Sequence, residues 1–167
     1  QRGRDFAVML SCLYEQGYAV EWRIINAADY GMPQRRRRIY IVAYHKSSPI
    51  YRKLSKYDKK ELIEKSGIIS SAFPVSINEN FKEIKISKDF DQESKNFNKG
   101  GKLSPFKNSG VMIDGKILTN KSSAIYDSRL VTLGDILEDE PVADEFYINK
   151  SKPVKKEVIE QINGSLK

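Results

Sequence analysis

The sequence predicts an α/β fold whose strands pair antiparallel. Three observations carry this. An apolar stripe at helical spacing, Phe6, Met9, Leu10 and Leu13, is followed by a run with strand alternation, Tyr18–Ile25. A second apolar run, Ile39–Tyr44, comes after a connection too short for a crossover helix, so the two strands must run antiparallel. Far downstream, Asp114-Gly115 separates two short apolar runs, which is the signal of a two-residue hairpin.

The first helix has Asp5 placed as an N-cap or first-turn acid and Gly17 placed to end it. Cys12 lies within it and has no neighbouring pattern that would make it a nucleophile. In the first strand Tyr18, Val20, Trp22 and Ile24 share one face, and Ala19, Glu21, Arg23 and Ile25 the other. Asn26–Gln34 forms a structured loop, with Gly31 at positive φ and Pro33 holding Met32 extended. Ile39–Tyr44 is apolar on both faces, which predicts an interior strand covered by helices.

Beyond His45 the composition turns basic and polar. A short helix is expected over Asp58–Lys65, a break at Phe73-Pro74, and a short strand over Phe81–Ile86. Asp89–Lys102 is charged and poor in hydrophobes, so it reads as loop. Val111–Ile113 and Lys116–Leu118 flank the Asp-Gly turn. Thr132–Leu137 reads as the start of a helical turn capped by Thr132. Residues 135–145 hold six acids and no base, at no recognisable metal spacing, and read as a solvated face. Phe146–Ile148 suggests a docking segment and Lys155–Gln161 a terminal helix.

Composition sets the outer bounds. The 167 residues suit one domain with an appended lobe. Lys and Arg total 29 against 22 Asp and Glu, a net charge of +7, which suits a polyanionic partner without requiring one. A single cysteine excludes an internal disulfide framework, and no signal peptide or spanning segment is visible, so a cytoplasmic location and no membrane partner are expected. The chain opens on QRGRDF without an initiator methionine, as a fragment, a processed product or one piece of a larger protein would. No internal repeat is present.

The chemistry concentrates between Asn26 and Tyr44, where four arginines, Arg35–Arg38, precede the second strand. If the chain is extended from Gln34, that glutamine shares a side with Arg36 and Arg38, while Arg35 and Arg37 point the other way. Guanidinium forks on one face suit phosphate or a planar carbonyl, but a solvated basic edge is an equal reading. Asp29 and Tyr30 are placed to brace the loop, and Asp29 to pair with an arginine. His45 lacks any partner for metal or base chemistry. Trp22, Tyr18, Tyr30, Tyr40 and Tyr44 read as core rather than base-stacking residues. Two further basic tracts, Gln34–Lys65 with a local excess of +8 and Lys95–Lys121 with +5, are placed to flank a nucleic-acid groove. Asn108, Ser109, Thr119 and Asn120 on the hairpin are candidates for reading base edges.

The run VEWRIINAADYGMPQRRRRIYIVAY, Val20–Tyr44, resembles the Gln-x-Arg-x-Arg segment of bacterial DNA (cytosine-5)-methyltransferases. QRGRDFAVMLSCLYEQGY resembles the helix before it, and Thr132–Ile148 the segment that crosses toward the target-recognition domain. About 60 of the 167 residues are covered, and PFKNSGVMIDGKILT resembles an element of restriction–modification relatives. The resemblance implies that 1–45 is the end of the catalytic domain, part of a Rossmann-like class I methyltransferase sheet. Residues 46–131 would then be a basic, loop-rich insertion, and 132–167 the start of the target-recognition region. It further implies double-stranded DNA as partner and S-adenosyl-L-methionine as methyl donor, with a cytosine flipped from the duplex for attack at C6. By the same resemblance Arg38 holds O2 of that cytosine, Arg36 supports the site and contacts phosphate, and Gln34 sets the loop, with Arg35 and Arg37 on DNA.

The family's glycine-rich cofactor loop, Pro-Cys nucleophile, Glu-Asn-Val segment and closing Gly-Asn element are not in this sequence. Cys12 is no substitute, since no proline precedes it. The chain by itself is therefore expected to be inactive, with cofactor bound mainly by the remainder of the methyltransferase chain. The alternatives are a noncatalytic nucleic-acid-binding module or a subunit that completes a partner methyltransferase.

Overall fold

The computed structural model describes residues 2–137. The expected docking run Phe146–Ile148, the helix Lys155–Gln161 and most of the acidic stretch lie outside the described residues. All that follows belongs to the unit Gln1–Asp135.

Helix α1 spans Arg4–Glu15, with Asp5 in its first turn and Gly17, at φ 81°, just beyond its Gln16 C-cap. Strand β1, Tyr18–Asn26, pairs antiparallel with β2, Arg37–His45, in unbroken register from Tyr18↔His45 to Asn26↔Arg37. The chain then forms α2 (Pro49–Leu54), α3 (Lys59–Glu61), a π-helical turn (Leu62–Ser66) and α4 (Ile68–Ala72). Next come β3 (Val75–Ile77), β4 (Lys82–Lys85) and α5 (Phe90–Asn96). The last strands are β5 (Ser109–Ile113), β6 (Lys116–Asn120) and β7 (Ser122–Ala124). The main sheet has the order β2-β1-β5-β6-β4, and β3 and β7 form a separate pair; every pairing is antiparallel.

The segment after His45 thus builds onto β1 rather than standing apart from it. Asp114 and Gly115 both take positive φ, 50° and 69°, as a type I′ turn requires, and close the predicted hairpin. The hairpin docks β5 on the edge of β1 opposite β2, from Val20↔Met112 to Arg23↔Ser109. Gly110 faces Trp22 across this pairing, and a Cβ there would lie 2.2 Å from the indole. Only glycine leaves room for that ring.

Side-chain alternation on β1 sends its two faces into two cores. On one face Val20 and Trp22 join Leu10, Ile86, Met112 and Ile117, with Phe6, Phe97 and Phe106 packed around them. Phe6 meets Trp22 and Phe106 edge-on at 5.2 and 5.0 Å, pairs worth about 0.5–1.5 kcal/mol each beyond area burial. On the other face Ala19, Tyr44, Leu54, Leu62, Ile63, Val111 and Leu118 pack together under the helical segment 49–72.

Glu21 and Arg23 lie on that second face and are only 3% exposed each. The Glu21 carboxylate accepts from the Ile68 and Ile69 amides at 3.2 and 3.1 Å and from the Tyr44 hydroxyl at 3.2 Å. The Arg23 guanidinium donates to the carbonyls of Phe73 at 2.6 Å and Ile63 at 2.7 Å. A carboxylate thus meets the amides that open α4 and a guanidinium a carbonyl at its end, the sense that the helix dipole favours.

Three expectations are corrected. Ile39–Tyr44 is not an interior strand: β2 is the sheet edge, and Ile39 and Ile41 remain 49% and 38% exposed. Asp89–Lys102 is not all loop, because Asp89 caps α5 by accepting from the Gln92 amide, and Phe97 stacks on Phe106 at 5.4 Å. Tyr40 is not core; it is 48% exposed and lies against Phe73.

Candidate functional site

The arginine run sits at one end of the β1–β2 pair. Asn26–Arg37 is the last pair of the register, so the loop between them is held at both ends by the sheet. Ala27–Tyr30 forms a 3-10 turn closed by Gly31 at φ 84°. A side chain at residue 31 would clash with the Tyr126 hydroxyl and ring, and Gly31 accepts through its carbonyl from the Val131 amide at 2.8 Å. The loop is therefore backed by the polypeptide that follows β7.

Asp29 accepts from the Asn26 side-chain amide at 2.9 Å, and the Tyr30 hydroxyl donates to the Pro74 carbonyl at 3.0 Å. Both residues brace the loop as expected, but among the described residues Asp29 forms no ion pair with the arginines. Burial, above all, raises the Tyr30 pKa, so its hydroxyl remains a donor through the physiological range.

Gln34, Arg35 and Arg36 lie in the loop and are exposed. The Arg36 amide donates to the Gln34 carbonyl at 3.1 Å, so the chain turns there and becomes extended only at Arg37. Strand alternation consequently sorts Arg37 from Arg38 and does not place Gln34 or Arg36. Arg37 stands opposite Asn26; Arg38 stands opposite Ile25 on the face of Tyr40. The Arg38 guanidinium donates to the Arg37 carbonyl at 2.7 Å and is otherwise presented to solvent. Two exposed arginines on the loop, Arg35 and Arg36, and two at the start of β2, Arg37 and Arg38, thus cluster at one end of the β1–β2 pair, a grouping whose guanidinium chemistry suits an anionic ligand.

Other sequence candidates fall elsewhere. Ser109, Thr119 and Asn120 are fully buried: the Thr119 hydroxyl donates to the Ser109 carbonyl at 2.6 Å and that of Ser109 to the Asn120 carbonyl at 2.9 Å. They cannot reach base edges. Asn108 holds Ser122 from both sides, donating to its carbonyl at 2.8 Å and accepting from its amide at 2.9 Å. His45 is a strand-end residue hydrogen-bonded to Ser47 at 2.7 Å. Cys12 is exposed on α1.

Neither connection from a strand to an α-helix that follows it among the described residues is a glycine-rich turn of the kind that cradles a nucleoside ligand. The connections from strand to helix, Lys46–Ser48 and Ile86–Asp89, contain no glycine that would let backbone approach such a ligand. Among the described residues no group of three His, Cys, Asp or Glu side chains is placed to hold a metal, and no helix is long and apolar enough to cross a membrane.

Sequence reasoning missed a second feature beside the loop. A cleft of about 720 Å³ opens where β5 leaves β1, lined by Arg23, Arg37, Lys107, Asn108, Lys121 and Ser122 among others. Its walls come from positions up to about 100 residues apart, so no local pattern announces it.

Comparison with known proteins bears on the whole chain. The family model for C-5 cytosine-specific DNA methylase matches residues 1–163. Type II methyltransferase M.Sau3AI of Staphylococcus aureus is 41% identical over 155 residues, 91% of this chain and 36% of that protein. Type II methyltransferase M.NgoBI of Neisseria gonorrhoeae is 43% identical over 49 residues, 29% of this chain and 16% of that protein. Type II methyltransferase M.HpaII of Haemophilus parainfluenzae is 47% identical over 51 residues, again 29% of this chain and 14% of that protein. No solved structure matches. The chain thus spans little more than a third of M.Sau3AI and less of the others. With a family match over nearly its whole length, the chain belongs to the C-5 cytosine-specific DNA methylase family.

Proposed function

We propose that the chain is the target-holding part of a bacterial DNA (cytosine-5)-methyltransferase of a restriction–modification system. The whole enzyme transfers a methyl group from S-adenosyl-L-methionine to C5 of a cytosine flipped out of a specific duplex sequence. The observation that carries this reading is the arginine loop: a Gln-x-Arg-x-Arg pattern, exposed and anchored across the β1–β2 register, in a chain of this family.

In this reading Arg38 donates to O2 of the flipped cytosine. A guanidinium there holds the base by its polar edge and stabilises negative charge that develops on the ring when a nucleophile adds at C6. Arg36 contacts phosphate and supports the site, Gln34 sets the loop, and Arg35 and Arg37 contact DNA. The methyl donor and the nucleophilic cysteine belong to the remainder of the enzyme. Residues 1–45 are then the end of a Rossmann-like catalytic sheet, 46–131 an insertion and 132–167 the approach to the target-recognition region. The long alignment with M.Sau3AI, against some 50 residues for M.NgoBI and M.HpaII, supports a segment 46–131 shared by only some relatives.

The test is Arg38→Ala in the intact enzyme, with labelled-methyl transfer and duplex binding measured side by side. Methyl transfer is expected to fall by about 100-fold or more, the scale of losing one oxyanion donor, while duplex binding changes by only a few-fold. Equal losses in both would remove Arg38 from the base. A wild-type enzyme that binds DNA without methylating it would make the protein a binding module instead.

A further inference from the structure

We propose that the cleft between β1 and the β5–β7 region binds a phosphate of the DNA backbone beside the target site, so that segment 46–131 serves as a second clamp on the duplex. This rests on the DNA methyltransferase reading above and adds to it a site outside the Gln-x-Arg-x-Arg segment.

The first argument is charge. Four cationic side chains line the cleft, Arg23, Arg37, Lys107 and Lys121, against one lining acid, Asp29. Glu79 lies within 3.5 Å of both Lys107 and Lys121 and partly offsets them. Desolvation is the largest single influence on the Glu79 carboxyl and raises its pKa, but the charges and hydrogen bonds of the two lysines together outweigh it and hold the group below its usual range. With Glu79 included the balance remains +2, on a surface whose chain carries +7 overall.

The second argument is unmet hydrogen bonding. Arg23 and Ser122 are 3% and 7% exposed, and among the described residues the Arg23 Nε and the Ser122 Oγ have no hydrogen-bond partner, although the Tyr30 hydroxyl lies beside the Arg23 guanidinium. Both residues line the cleft and both atoms can donate, and a buried donor without an acceptor costs about 1–3 kcal/mol. A phosphate oxygen supplies what each lacks. The Asn26 Oδ1 is also unpartnered, but it is an acceptor and contributes nothing toward an anion.

The third argument is rigidity and place. Arg23 is fixed by its bonds to Phe73 and Ile63, and the Ser122 backbone by two bonds to Asn108, so the donors are positioned before any ligand arrives. Asn26, Asp29 and Arg37, on the loop side of the cleft, belong to the loop or its flanking strands, whereas Lys107, Lys121 and Ser122 come from segment 46–131. A strand engaged by the loop arginines therefore runs directly onto the cleft.

The test is a duplex-binding titration of the intact enzyme over a range of salt, with and without the target sequence, alongside labelled-methyl transfer. Lys107→Ala/Lys121→Ala is expected to weaken binding to both duplexes by the same factor. It should also make the log–log salt slope shallower by roughly 1, the contribution of the one phosphate held in the cleft. At limiting DNA, methyl transfer is expected to fall in step with binding. Glu79→Gln is expected to tighten binding, because it frees the two lysines; it changes an exposed residue and is read independently of whether the double variant folds. An unchanged salt slope in the double variant, or unchanged affinity in Glu79→Gln, overturns the clamp while wild-type methylation leaves the enzyme reading intact. A wild-type enzyme that transfers no methyl group to DNA overturns that reading and the clamp with it.

Discussion

Tyr44 couples the two strands to the segment that follows them. Its hydroxyl donates to the buried Glu21 carboxylate, and burial, reinforced by that charge, pushes its pKa well above the ordinary phenol value of 10. A raised acid pKa means that the folded state keeps its proton where the unfolded chain loses it. Its contribution to stability is therefore complete below pH 10 and declines as the pH rises beyond it. Tyr44→Phe should lower stability at neutral pH by about 1 kcal/mol. The gap to wild type should narrow above pH 10, as urea midpoints of the intact protein across pH 7–11 would show. A gap that stays constant would mean that the hydroxyl titrates alike in both states. Tyr44 was legible as core because it is aromatic and lies in an apolar run. Glu21 and Arg23 were not legible as buried. Alternation put them together on one face, but only the helices 30 to 50 residues later decide that this face is covered.

At the scale of elements, local chemistry was readable and long-range chemistry was not. The Asp-Gly hairpin is specified by two residues whose positive φ suits one turn type, so its strands could be placed from sequence. The capped helix α5 was hidden because its stretch is mostly charged. Its anchors are few: Asp89 at the cap, Phe97 on Phe106, and Glu93, whose carboxylate accepts from the Ser87 amide at 2.6 Å. Helix α4 is the extreme case. At five residues it has no intrinsic stability, since nucleation outweighs so few bonds. It persists because Glu21 and Arg23 reach up from β1 to its two ends. Glu21→Gln keeps the shape but replaces one acceptor oxygen with an amide donor, facing the amides that open α4 and the Tyr44 hydroxyl. The expected loss is about 1–3 kcal/mol, measured by urea unfolding against Glu15→Gln, an exposed control on α1. Equal effects from the two substitutions would show that α4 is held by apolar packing alone.

Across the whole molecule, the unfinished edge is the informative one. Segment 46–131 closes one side of β1 with β5, β6 and β4, while on the other side β2 has no further strand among the described residues. Ile24, Ile39 and Ile41 form an exposed apolar group on the same face, placed by the pairs Ile24↔Ile39 and Trp22↔Ile41. Isolated edges of this kind invite pairing with other chains, and natural proteins blunt them with charge, proline or a cover. Here charge ends at Arg38, and the next five residues, Ile39–Ala43, carry none. The apolar run reads as an interior strand, whereas among the described residues β2 stands at the sheet edge with Ile39 and Ile41 exposed. In the proposed enzyme the remainder of the methyltransferase chain pairs with β2 and buries these isoleucines. Ile39→Ala in the intact enzyme should then cost about 2–5 kcal/mol, as for a fully buried isoleucine. If β2 stays in water the loss should be within about 0.5 kcal/mol, the range of surface changes. Hydrogen exchange gives an independent reading of the same claim. Alternate β2 amides point away from β1, and in the intact enzyme they should be as protected as the amides shared with β1. Fast exchange at those alternate positions, together with a small Ile39→Ala effect, would leave β2 as a true edge and remove the sheet continuation from the proposal.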